Sequence, residues 1–120
     1  MITSTSNAKV KNLVNLKKKR KARDEEKVFL VEGIRMFREV PLNQLKEVYV
    51  SETFYKKEKK TVDTIVNGSR AKMEILADNI FTHVSDTMTP QGVLCVVEQM
   101  KYSLEDVLEK VYTRDLYFRD

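Results

Sequence analysis

Short apolar runs, too brief for helices, recur along this chain, and each is followed by a stretch with helical spacing. Val28-Phe29-Leu30-Val31 is a continuous apolar run that reads as a strand buried on both faces. Glu32-Gly33 follows at once, and Ile34, Phe37 and Val40 then recur at helical spacing until Pro41 stops the helix. Val48-Tyr49-Val50 reads as a second strand. Phe54 to Val66 reads as a helix with Val62, Ile65 and Val66 inward, ended by Asn67-Gly68. Met73 to Leu76 is a candidate third strand, and Asp78 to Val84 a short helix with Ile80, Phe81 and Val84 inward. Val93 to Val97 is the most strand-like run of all. Beyond it, Ser103 can cap a helix with Leu104, Val107, Leu108 and Val111 on one face. The alternation predicts an α/β sandwich, with helices covering a mostly parallel or mixed sheet of about four strands.

A chain of 120 residues, 42% hydrophobic and 33% charged, is enough for one compact domain with its own core. No apolar run approaches the roughly 20 residues of a membrane span, and Met1 to Asn7 lacks the apolar stretch of a secretory signal. Cys95 has no second cysteine to pair with, and one Cys with one His (His83) makes a poor zinc ligand set. Together these predict a cytoplasmic setting. Asn67-Gly68-Ser69 matches a glycosylation pattern but reads here as a turn.

The net charge of +4 is unevenly placed. Lys9, Lys11, Lys17, Lys18, Lys19, Arg20, Lys21 and Arg23 all lie in the first 23 residues, which hold no acid; the remainder of the chain is net acidic. Asn7 to about Lys19 looks helical, with Val10, Leu13, Val14 and Leu16 or Lys17 on one face, Lys9, Lys11 and Lys18 on the other, and Ser4 or Ser6 as the cap. Lys17 to Arg23 is so charged that it reads as ending in an exposed basic loop. Such clustering fits a polyanion met locally. If about five phosphates of a single-stranded RNA were contacted, the logarithmic salt slope would be roughly −3.5. A solvated helix face is the plainer use of the same charges. A membrane-surface helix fits less well, because the apolar face has no Trp or Phe to anchor it.

Two further places carry candidate chemistry. Leu30 to Arg35 puts a carboxylate (Glu32) and a cation (Arg35) around Gly33 at the end of a strand, where α/β sheets tend to bind ligands. Gly33 permits a close turn, and the N–H groups of the following helix can meet a phosphate; a simple turn with Glu32 as helix cap accounts for the same residues. Thr87-Met88-Thr89-Pro90-Gln91-Gly92 is a polar loop in which Gln91 can hydrogen-bond a base edge or ribose hydroxyl, or which merely shapes the entry to the next strand. His83 has no companion nucleophile and reads as structural, and Cys95 as a core residue. Tyr49, Tyr55, Phe29 and Phe81 read as core or rim. The sequence holds no Gly-rich phosphate loop and no carboxylate pair suited to catalysis.

Three separated stretches, read together, resemble the SpoU (TrmH) family of RNA methyltransferases. They are Ile2-Thr3-Ser4 with Asn7 and Val10-Lys11, then Phe29 to Gly33 with Arg35, and Asp86-Thr87 with Thr89-Pro90-Gln91-Gly92-Val93. Their order and spacing match that family's N-terminal substrate-binding domain over roughly residues 2–98. The resemblance implies a three-layer α/β/α sandwich similar to ribosomal protein L30e. It also implies that Lys17 to Arg23, Glu32, Gly33, Arg35 and Pro90-Gln91-Gly92 lie at or near an RNA face. Family members carry a second, knotted domain that binds S-adenosylmethionine, dimerises and methylates a ribose 2′-hydroxyl, usually in 23S ribosomal RNA or transfer RNA. Its hallmark motifs do not occur here, and Leu116-Tyr117-Phe118 stands about where its first strand would start. The expectation is therefore an RNA-recognition domain over 1–98 and a helix and linker over 99–120. This chain alone would be non-catalytic, without cofactor and monomeric, and its parent enzyme a homodimer. A stand-alone RNA-binding protein of the L30e/L7Ae kind is the alternative, and a fold kept for protein contacts alone a third.

Overall fold

The computed structural model describes residues 1–85 and 87–99. Asp86, the helix read from Ser103 and the strand-like Leu116 to Phe118 lie outside the described residues. Four strands, β1 (Val28–Glu32), β2 (Leu45–Ser51), β3 (Lys72–Leu76) and β4 (Val93–Glu98), form one sheet in the order β1-β4-β2-β3. β4 pairs antiparallel with both β1 and β2, while β2 and β3 run parallel, so the sheet is mixed. Ile2 adds a single parallel bridge to Leu76 at the outer side of β3.

The strand residues divide between two cores according to the two-residue alternation of side chains. Leu94 and Val96 of β4 and Tyr49 of β2 join one core, with Val10, Leu13 and Leu16 of α1 (Ala8–Lys18) and Ile80, Phe81 and Val84 of α5 (Asp78–Val84). Val93, Cys95 and Val97 face the other way with Val48 and Val50. They meet Phe37 of α3 (Ile34–Glu39) and Phe54 and Val62 of α4 (Glu52–Asn67). Helices thus cover both faces, giving three layers. β4 is central and buried on both sides, which is why its sequence is an unbroken apolar run. Burial pushes the Cys95 thiol up to about 12.

Several local expectations need correction. β1 is an edge strand; only Val28 is fully buried, and Phe29 is 41% exposed. The cap of α1 is Asn7, whose side chain accepts from Lys9 N, rather than Ser4 or Ser6. The basic run does not end as a loop: after a break at Lys19 it continues as a second helix, α2 (Arg20–Glu26). High charge does not bar a helix, since Lys, Arg, Glu and Ala all favour one. Ala22 packs on the core, and Arg20 and Asp24 form an i,i+4 pair. The turn ends at Lys27 in the left-handed region, φ 59°. Gly68 does end α4, in right-handed geometry. α3 ends at Glu39, with Val40 extended ahead of Pro41.

Candidate nucleic-acid interface

Where β1 ends and β4 begins, three sequence-distant segments close on a cleft of about 540 Å³. Its walls include Lys17 from α1, Glu32, Gly33 and Arg35 from the β1–α3 turn, and Thr87, Thr89 and Gln91 from the loop before β4. The antiparallel pairing of β1 with β4 sets this meeting, because Glu32 lies opposite Leu94 at one end of the ladder.

Glu32 is held on both carboxylate oxygens. Lys17 Nζ donates to Oε1 at 3.1 Å, while Ser85 Oγ and Thr87 Oγ1 donate to Oε2 at 2.7 and 3.3 Å. The pair is largely withdrawn from water, with Lys17 and Glu32 side chains only 14% and 21% exposed. Glu32 therefore does not cap α3. Gly33 occupies the cap position with φ 104°, and the capping group comes from 57 residues away: Gln91 Oε1 accepts from Ile34 N at 2.8 Å. One of the N–H groups expected to meet a phosphate is thus already taken. Gly33 N donates in turn to Val93 O, and Ser51 N to Gly92 O, so the Pro90-Gln91-Gly92 loop is clamped from two sides. Pro90, Gln91 and Gly92 also line a second cleft with Thr53, Lys57 and Asp78.

The predicted cations divide into three groups. Lys17 and Arg35 line the first cleft, and Arg35 is 90% exposed. Lys11, Lys18, Lys19, Arg20 and Lys21 are exposed on α1 and α2, Arg20 with its Asp24 partner. Two are occupied elsewhere. Arg23 Nη1 donates to the carbonyls of Leu16 and Lys17 at 2.7 and 2.9 Å, closing the C-terminal end of α1. Lys9 pairs with Glu74 on β3, away from the cleft residues. His83 is exposed on α5. Tyr49 is buried, donates to Glu47 and is pushed well above the usual tyrosine range by burial and then by that carboxylate. Ser85 was missed as a site residue, although the Ser-x-Thr spacing to Thr87 is a local signal: Thr87 N donates to Ser85 Oγ at 3.2 Å. The Gln91 cap also had a signal, since no Ser, Thr, Asp or Asn precedes Ile34 to cap that helix locally. No group of residues suited to a metal ion occurs among the described residues, and no described helix is long and apolar enough to cross a membrane.

The chain belongs to the family of MRM3-like substrate-binding domains, whose model matches residues 7–95. The match bears out the family resemblance read from the three motif stretches. Among solved structures, the AdoMet-bound rRNA methyltransferase from Sinorhizobium meliloti is 21% identical, with a TM-score of 0.70 over 88% of this chain. An RNA 2′-O ribose methyltransferase is 26% identical, with a TM-score of 0.60 over 86%. The SpoU methyltransferase AviRb from Streptomyces viridochromogenes, in complex with AdoMet, is 19% identical, with a TM-score of 0.58 over 82%. The matched region is 38%, 39% and 38% of those three chains. No curated protein matches the sequence.

Proposed function

We propose that this domain grips structured RNA, ribosomal or transfer RNA, and presents a ribose to the catalytic domain of an S-adenosylmethionine-dependent 2′-O-methyltransferase. The observation that carries the reading is the convergence of Lys17, Glu32, Gly33, Arg35 and Gln91 in one cleft. The exposed cations Lys18, Lys19, Arg20 and Lys21 follow directly on from Lys17. Phosphates supply most of such affinity, and base contacts its selectivity. Lys17 is steered by Glu32 into the cleft wall, while Arg35, ion-paired through Nε with Glu39 one turn along α3, extends from the rim with the outer donors of its guanidinium suited to phosphate oxygens.

The methyl donor belongs elsewhere in this reading. Glu32 is engaged by Lys17, Ser85 and Thr87 and so serves to fix the wall of the RNA cleft. The function tested is RNA binding, with a fluorescein-labelled ribosomal RNA hairpin followed by polarisation at several salt concentrations. Replacing Lys18, Lys19, Arg20 and Lys21 together with Ala lowers the salt slope by roughly 2.8 if all four meet phosphate on single-stranded RNA, at about 0.7 each. The melting temperature changes little, since all four are exposed. Salt-independent binding, or none, contradicts the reading.

A further inference from the structure

We propose that Gln91 is a specificity-determining residue of this cleft, and that it reads a hydrogen-bond acceptor on the RNA. The inference rests on the RNA-binding reading above and sharpens it.

A free glutamine amide offers an acceptor at one end and two donors at the other, and can rotate to present either. Gln91 has lost that choice. Its Oε1 accepts from the backbone N–H of Ile34 at 2.8 Å. The partner is a donor, so the reversed orientation would set one N–H against another; chemistry fixes the carbonyl oxygen in that position. The surroundings hold the side chain there. A Cβ at Gly33 would stand 3.1 Å from Gln91 Oε1, so the oxygen lies close over a backbone with no side chain. Gly92, at φ 108° and packed against Ser51 and Phe54, anchors the backbone immediately after it.

The remaining end of the amide, Nε2, has no protein partner among the described residues, while Gln91 itself is exposed and lines both clefts. The two donors therefore stand at the wall shared by two clefts, with a fixed polarity. The groups that satisfy them are a base carbonyl, an unprotonated ring nitrogen or a phosphate oxygen. An exocyclic amine does not. An open choice between reading and capping thus becomes both at once, with the cap deciding which end of the amide reads.

The test uses the full chain and a fluorescein-labelled RNA hairpin with a uridine loop, whose bases present carbonyl acceptors. Gln91→Glu keeps an acceptor for Ile34 N but removes the donors. It is expected to retain the wild-type melting temperature and to weaken hairpin binding about tenfold. Gln91→Met removes both ends, and is expected to lower the melting temperature as well as the affinity. Met88→Glu adds the same charge to the same loop at a residue that is 95% exposed and lines neither cleft; it is expected to change affinity less than twofold. If Gln91→Glu and Met88→Glu weaken binding equally, or Gln91→Glu binds like wild type, the proposal is overturned. If the wild-type chain shows no salt-sensitive binding to the hairpin, the RNA reading itself fails, and that outcome is separately visible.

Discussion

At Gly92 an added Cβ would come within 2.5 Å of Ser51 Oγ and 2.6 Å of Phe54 Cβ, on a backbone at φ 108°. Ser51 cannot yield easily, because its hydroxyl caps α4 by accepting from Phe54 N at 3.0 Å. Gly92→Ala combines steric overlap with a strained φ, and should cost about 3 kcal/mol, measured as a shift in urea midpoint. A loss under about 0.5 kcal/mol would mean that the loop moves aside freely. The sequence placed Gly92 in the loop that shapes the entry to a strand, but not beside the neighbours that make it obligatory. Both lie about 40 positions upstream, on β2 and α4. Gln91 was legible in the same partial way: its hydrogen-bonding capacity is in the residue type, whereas its pinned carbonyl depends on where α3 begins.

Helices here are often secured by side chains from other elements. Asp78, on the first turn of α5, accepts from both Thr53 N and Thr53 Oγ1 and so ties α5 to the start of α4. Those bonds, first from the Thr53 side chain and then from its backbone, hold the Asp78 carboxyl below its ordinary value. A carboxyl depressed in the folded state stabilises above its unfolded value, about 3.9, and loses that contribution as pH falls through the folded value. The melting-temperature difference between wild type and Asp78→Asn should therefore be largest above about pH 5 and shrink on acidification below about pH 4. A difference that stays constant with pH would contradict the assignment. At this scale the sequence was most readable where apolar spacing was regular, as at Val10, Leu13 and Leu16 or Ile80, Phe81 and Val84. It misled at α2, where a dense charge run concealed a helix that Arg23 folds back onto the end of α1. Charge reports on solvent preference, and a helix with its cations outward satisfies that preference as well as a loop does.

For the molecule as a whole, alternation predicted the class of fold, but strand order was out of reach. β4, β1 and β2 are each apolar enough to be central, and only the pairing of Glu32 with Leu94 and of Tyr49 with Leu94 puts β4 between the others. That position has β4, like β2 beside it, supply both cores: Leu94 and Val96 enter one and Val93, Cys95 and Val97 the other. A chain ending at residue 92 should accordingly show no cooperative unfolding transition by circular dichroism, and a sharp urea transition from it would contradict the dependence. The last described strand is thus the one that the first must wait for. During synthesis, β2 and β3 can pair early, but β1 has no neighbour until residues 93–98 clear the ribosome. Over that interval the nascent chain carries an unpaired apolar strand, Val28 to Val31, just behind its most cationic segment, so the sheet closes only when its last described strand arrives.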